Sequence, residues 1–487
     1  MNSRRHFLTS MALLMASRAI PSIKLPLNPT ENKLKIMILG AGPAGLTTAY
    51  ELQTAGHEVS VFEARNRVGG RMYTLKEPFD GSLYAEAGAL YLVSHNPGLA
   101  YAREFGLKLN KIPFRQELGS VVYVKNKRLL DKEGQELSYP FNLAEEDRNK
   151  TISQLQGKYH RAHVYGMQDL NEMNDRGFPQ QKFLHLDDMS LKEFWKKNGA
   201  NESTVQLMKL RYYGGYGDKL EEVSALQLFR EAAGFLGTEA SYQVDGGNDR
   251  ICRELANRLK NKIRLNSPVL KISQNDSCAS LIINDNGKNR EVRGDYVVVA
   301  APPQVMKSID LENGISSKRI RALDTIRGVD VTRTYIQTNR RFWLEEGLDG
   351  SAITDLPIQS IYNATIAQES TKGILESMTY ASGATFLGKM PYNERIVQVK
   401  KYMEMVYPEM AQVSEKYTSY AWGEDPWSLG GHSAFQPGQI GECFKLISKR
   451  EGRIFFAGDT YGGIPGYSHA AFASGQQVAK AIHLMAN

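Results

Sequence analysis

Residues 35–39, KIMIL, set four apolar side chains in a row behind one lysine, a short run of strand character. Residues 43–55, PAGLTTAYELQTA, follow with helix-like spacing and stop at Gly56. Residues 58–63, EVSVFE, then alternate as a second strand, so the chain opens on a compact strand–helix–strand unit. A related signature closes the chain. Residues 453–457, RIFFA, read as a strand, followed by a Gly-Asp turn, a glycine-rich loop and an alanine-rich helix from about Tyr467. Between these ends, residues 147–178 are polar and helix-forming, and they read as a solvated helical face. No internal repeat and no low-complexity linker interrupts the pattern.

Three glycines occupy the first strand-to-helix turn. Gly40 permits the tight turn, Gly42 lets a diphosphate approach the backbone, and Gly45 lets helix and strand pack closely. Pro43 and Ala44 open a helix whose free N–H groups and positive dipole end suit an anion. Glu63 ends the second strand, eighteen residues beyond Gly45, where an acid hydrogen-bonds ribose hydroxyls. An acid at that place favours FAD or NAD over NADP.

The next stretch separates those two. Residues 64–74, ARNRVGGRMYT, follow the acid with Ala64, Arg65, Gly69, Gly70 and Arg71. They resemble the second glycine motif of two-dinucleotide-binding flavoproteins, which implies FAD. The C-terminal "AGDTYGGIPGYSHAAFASG" resembles the flavin motif of the flavin-containing amine oxidases, the monoamine and L-amino-acid oxidases. That resemblance puts Gly458 and Asp459 at the ribityl chain and Tyr467 and Ser468 beside the isoalloxazine. It extends to "QVDGGNDRICRELANRL" (243–259), to Val269 against adenine, to Ala301 in "DYVVVAAPP" (295–303), to Gly88 and Ala89, and to Trp422 in "WGEDPWSLGGHSAFQPG". It thus covers most of residues 34–487.

The implied fold is α/β: a Rossmann-like FAD-binding domain plus a discontinuous α+β substrate domain. The first would be assembled from residues 34–90, 243–320 and 448–487, the second from 91–242 and 321–447. The implied activity is oxidation of an amine or L-amino acid by hydride transfer to flavin N5, with molecular oxygen or another acceptor completing the cycle. Imine hydrolysis then gives aldehyde or keto acid, ammonia and peroxide. A desaturase of a non-amine apolar substrate and a flavin-containing interaction module remain alternatives.

Three departures from the family pattern bear on the substrate. Tyr467 matches one of two aromatic walls that align the amine, but the place of the other falls near His432, with Phe435 close by. The carboxylate-binding arginine of L-amino-acid oxidases is replaced by tyrosine in "GALY" (88–91). The position of the family's lysine falls at Arg333, which stays protonated and so cannot act as a base; it is expected to bind an anion or orient water. The loop at His432 has no cysteine for a covalent flavin link, so FAD is expected to bind noncovalently.

Composition narrows the picture. With 42% hydrophobic and 23% charged residues among 487, the chain has ample core for two or three domain-sized units. The net charge of +7 includes Arg4, Arg5, Arg18 and Lys24, all before the first acid; removing those four leaves +3 for residues 31–487. No basic run tracks phosphates, which argues against nucleic-acid binding. Three widely spaced cysteines, Cys252, Cys278 and Cys443, and nine scattered histidines form no metal motif, and the cysteines read as buried small hydrophobes. The first thirty residues, with Arg4 and Arg5 before a short apolar run, resemble a twin-arginine export signal; this predicts a periplasmic protein with no stable membrane span. A homodimer is one arrangement open to it.

Overall fold

The computed structural model describes residues 27–113, 117–132, 135, 137–175, 177–216, 219–285, 287–311 and 313–486; residues 1–26, which hold the paired arginines and apolar run of the expected export signal, lie outside them. Its first layer is a five-stranded sheet. In chain order the strands are β1 (Lys35–Leu39), β2 (Glu58–Phe62), β3 (Ile263–Arg264), β4 (Tyr296–Val299) and β5 (Ile454–Phe456). Their order across the sheet is β3-β2-β1-β4-β5, and every pairing is parallel. Three stretches far apart in sequence therefore meet in one sheet.

The unbroken apolar run of β1 has a physical reason. Ile36 and Ile38 join Val59, Val61, Val298 and Phe455 in a core shared with the helices, whereas Met37 and Leu39 face a second core with Phe62, Val297 and Val299. A parallel sheet covered on both faces needs apolar side chains at every position. The same helical core takes in Leu92, Leu99, Tyr101, Ala102 and Leu107, past the boundary expected at residue 90.

Helix α1 (Pro43–Thr54) packs on the C-terminal helix α2 (Ser468–Ala486). The two approach closely because Gly475 lies against the Ala44 carbonyl, and a Cβ there would stand 2.5 Å from that oxygen. Thr48 on α1 donates to both the Ala44 and Gly475 carbonyls, at 2.9 and 3.1 Å.

The other large sheet has seven strands, and Val331–Thr338 and Gly373–Tyr380, second and third from one edge, pair antiparallel. Both strands are buried along their whole length. Ile336 and Leu375 face a core with Val399 and Met403 of the helix Tyr392–Val406. The opposite face carries Val331, Arg333, Met378 and Tyr380, which line the central cavity.

Residues 147–178 depart from the solvated face expected of them. Ile152, Leu155, Tyr159, Val164, Leu170, Met173 and Phe178 are all buried in the main core. Ile152, Leu155 and Tyr159 recur at helical spacing, so this face is amphipathic, with its polar residues outside. Cys278 also differs from expectation: Cys252 and Cys443 are buried, but Cys278 is half-buried in the turn closed by Asn275. Among the described residues, no helix is long and apolar enough to cross a membrane.

Candidate active site

One cavity of about 430 Å³ runs between the two large sheets, within the usual range for small-molecule sites. Its floor is made where the glycine motifs meet. Gly40 adopts φ +101°, a conformation that a β-carbon would strain, and turns β1 sharply into α1. Gly42 has an ordinary φ of −79° and caps α1 with no side-chain hydrogen bond. A Cβ on Gly42 would meet only the Gly70 Cα, at 3.9 Å. Bare backbone from both motifs thus faces the cavity beside a helix N-terminus, a cradle that a side chain would fill and that fits a dinucleotide diphosphate.

The remaining motif glycines work behind this surface. A Cβ on Gly45 would overlap the Gly40 carbonyl and stand 3.2 Å from the Ala300 Cβ. Gly69, at φ +99°, would press on the Met72 carbonyl, while its own N–H donates to Ala41 at 2.8 Å. Neither lines the cavity. Gly45 and Gly69 therefore shape the loops that present Gly40, Gly42 and Gly70. Pro43 and Ala44 are on the wall.

Glu63 is buried at the end of β2 and reaches the cavity. One carboxylate oxygen accepts the Ala41 N–H and the other the Arg65 N–H, each at 2.8 Å, so the acid is oriented by the loop it serves. Ala64 and Arg65 also line the wall. Arg65 reaches across to Asp425 and Ser428, at 2.5 and 2.7 Å, and fastens β2 to the loop that follows Trp422.

Arg71 and Asp459 come together although 388 residues separate them, with Arg71 Nη2 2.6 Å from an Asp459 oxygen. The second Asp459 oxygen accepts the Gly466 N–H at 2.7 Å, and Arg71 Nη1 donates to the Gly431 carbonyl. This pair welds the second glycine motif to the C-terminal loop. Gly88, Ala89, Val269, Ala301, Trp422, Gly458 and Ser468 all fall on the same cavity wall. The Trp422 indole donates to the Ala87 carbonyl at 2.6 Å, and Ser468 accepts from Asn96 at 3.0 Å.

Tyr467 is half-buried at the head of α2, edge-on to Phe235 with ring centres 4.8 Å apart. His432 sits against Gly466 and Tyr380. Its Nδ1–H donates to the Ser433 carbonyl at 3.1 Å, which leaves Nε2 with the lone pair. Burial, followed by the charge of Arg71, lowers its pKa, so the ring is neutral. Phe435 packs in the core against Phe444 and is not a wall. Tyr380 takes that place: it lies across the sheet from Val331, whereas Phe435 follows a strand that carries it behind the cavity.

Arg333 reaches the cavity wall from its buried strand. Its Nη1 donates to the Glu86 carbonyl at 2.7 Å and stands 3.7 Å from Glu376. Glu376 is fully buried, and neither carboxylate oxygen has a hydrogen-bond partner. Burial raises its pKa to about 7 against the opposing pull of Arg333. Sequence reasoning missed Glu376, Met378, Tyr380, Phe235 and His469. A lone acid inside "GILESMTY", an otherwise strand-forming run, was the available signal for the first.

Comparisons with known proteins match nearly the whole chain. The family model described as flavin containing amine oxidoreductase matches residues 43–483. The chain is similar to the L-amino-acid oxidase of Pseudechis australis, at 29% identity over 94% of this chain and 88% of that one. It is also similar to the L-amino-acid oxidase of Demansia vestigiata, at 26% identity with the same coverage. Among solved structures it resembles putrescine oxidase bound to putrescine, with a TM-score of 0.76, 22% identity and coverage of 92% and 99%. Cyclohexylamine oxidase from Brevibacterium oxydans IH-35A gives a TM-score of 0.77 at 19% identity, covering 93% and 99%. At those identities the two structures speak for the fold.

Proposed function

This chain belongs to the flavin containing amine oxidoreductases, and we propose that within that family it is an oxidase of L-amino acids. It is an FAD-dependent oxidoreductase acting on CH–NH2 groups. The observation that carries the substrate reading is Arg333, a permanently charged guanidinium in the cavity wall beside Val331, Met378 and Tyr380. A substrate carboxylate needs such a partner, and the tyrosine of "GALY" cannot supply a charge.

The residues present fit FAD. Gly42, Gly70 and the N-terminus of α1 would receive the diphosphate, Glu63 the adenosine ribose, and the Gly458–Asp459 turn with Ser468 the ribityl and ring portion. The chemistry that FAD supplies when bound is acceptance of a hydride from the carbon bearing a neutral amine, with the resulting substrate imine hydrolysed by water. The protein's part is orientation and dryness. Arg333 holds the carboxylate end, while Tyr467 and His432 flank the space for the amine. The neutral His432 ring adds no charge that would repel an ammonium. The buried aromatic wall keeps water from the reacting carbon. Molecular oxygen is the proposed acceptor, with peroxide as product, and the route of export is the twin-arginine pathway.

Anaerobic bleaching of the flavin absorbance tests the substrate reading. L-Leucine should bleach the protein at least about 100-fold more efficiently than 3-methylbutylamine, which lacks only the carboxylate. Equal bleaching by the two would overturn it. A carboxylate-free amine is the second reading, and the existing partners of Arg333, the Glu86 carbonyl and Glu376, favour it.

A further inference from the structure

The pair that balances Arg333 is unusual for a buried one. Glu376 lies within the sheet, directly across the pairing from Tyr335, with the Arg333 guanidinium 3.7 Å away, beyond hydrogen-bond reach. Both carboxylate oxygens lack any donor. Tyr335 and Arg333 stand on the neighbouring strand, Tyr380 follows on the same strand, and Tyr362 and Tyr91 approach from the strand Ser360–Asn363 and the loop after Gly88. Glu86 lies beyond Tyr335, whose hydroxyl and the Arg333 guanidinium both donate to the Glu86 backbone carbonyl. Its own carboxylate is satisfied by the Asn248 N–H and the Thr74 hydroxyl, at 2.7 and 2.9 Å. Arg333 is thus the one full positive charge facing Glu376 among the described residues.

A buried guanidinium balances one carboxylate, not two. We propose that Arg333 exchanges carboxylates: the carboxylate of the substrate takes over its charge, and Glu376 takes up a proton from solvent as the substrate binds. The inference rests on the L-amino-acid reading and adds a coupling that this reading alone does not require. Above about pH 7 Glu376 is then a positioning residue, which keeps Arg333 neutralised while the cavity is empty and withdraws as a charge when it fills. The alternative, two ionised carboxylates on one guanidinium out of water, leaves one charge uncompensated, and protonation of the weaker acid relieves it.

The sign of the pH dependence follows. Below about pH 7 Glu376 already holds its proton, so an anion binds with no uptake. Above that point each binding event must draw in a proton, and affinity weakens with rising pH, up to tenfold per unit.

Benzoate, an unreactive carboxylate with no amine of its own, is the probe. Its binding to the holoenzyme is followed by perturbation of the flavin spectrum, and proton uptake by calorimetry in buffers of differing ionisation enthalpy. We expect uptake approaching about one proton per benzoate at pH 8 and little at pH 6. Glu376→Gln should bind benzoate with no uptake and with an affinity that no longer falls above pH 7. Glu86, whose carboxyl is pushed up to about 8 by burial and which also lies near Arg333, is the rival source of uptake, so the uptake must survive in Glu86→Gln. Wild-type binding without proton uptake at pH 8 overturns the proposal, as does uptake that persists in Glu376→Gln. The wild-type measurement decides even if a variant folds poorly. Should L-leucine bleach the flavin while benzoate binds without uptake, the substrate reading survives and the exchange is lost. Should benzoate fail to bind and only amines bleach, both fall.

Discussion

Gly42 and Gly45 lie three residues apart in one turn, yet replacing each with alanine should act in opposite ways. At Gly42 the backbone is ordinary, and the new methyl would find only the Gly70 Cα, at 3.9 Å. Removing a glycine from the unfolded ensemble then stabilises the apoprotein by about 0.4–1 kcal/mol. The same methyl projects into the cradle assigned to the diphosphate. Overpacking of that kind costs about 1–3 kcal/mol, a loss in FAD affinity of about 5- to 150-fold. At Gly45 the methyl would overlap the Gly40 carbonyl, and Gly40 has no room to yield because it is itself fixed against Ala300. The turn must open, and apoprotein stability should fall by at least about 2 kcal/mol. Apoprotein prepared by acid stripping, refolded and titrated with FAD by fluorescence quenching gives the affinities, and urea melts of the same apoprotein give the stabilities. Gly42→Ala should melt like wild type or slightly later and bind FAD poorly. Wild-type affinity in a normally folded Gly42→Ala would refute the assignment of this floor to the diphosphate.

Breaking the Arg71–Asp459 pair by Arg71→Met should cost about 2–3 kcal/mol, since Asp459 is nearly buried and would lose its charged partner. A double-mutant cycle with Asp459→Asn in urea melts checks this, and additive single effects would deny the coupling. His160 is buried with Nδ1 accepting the Trp195 indole N–H, and burial lowers its pKa to about 3. Between the unfolded value near 6.5 and that value the unfolded chain binds the extra proton, so stability present above 6.5 is lost as pH falls, by about 1.4 kcal/mol per unit. His160→Gln should flatten the urea-midpoint profile between pH 6.5 and 5, and an unchanged slope would place the acid lability elsewhere. Arg4→Lys with Arg5→Lys should retain the protein in the cytoplasm on fractionation; unchanged periplasmic recovery would remove the twin-arginine reading.

The parts legible in the sequence are those whose physics is local. A strand, a glycine turn and a helix lie within about twenty residues, and a positive φ at Gly40 or a close approach at Gly45 is enforced by neighbours in the same motif. Gly69 shows the limit: its spacing invites a cofactor contact, but its conformation serves the turn, and only the backbone path distinguishes the two. Residues 147–178 misled because polar residues dominate by number, while burial follows the face on which Ile152, Leu155 and Tyr159 recur. The chemistry of the substrate end was hidden for another reason. Arg333 and Glu376 are 43 positions apart and meet only because two antiparallel strands pair Arg333 with Met378 and Tyr335 with Glu376. A shift of one residue in that register would turn Glu376 toward the helix Tyr392–Val406 and leave Arg333 buried without its counter-charge. Register is fixed by the apolar face opposite, where Ile336 and Leu375 meet Val399 and Met403. The charge available to a substrate is therefore set by hydrophobic packing on the far side of the sheet, which no motif at the site records.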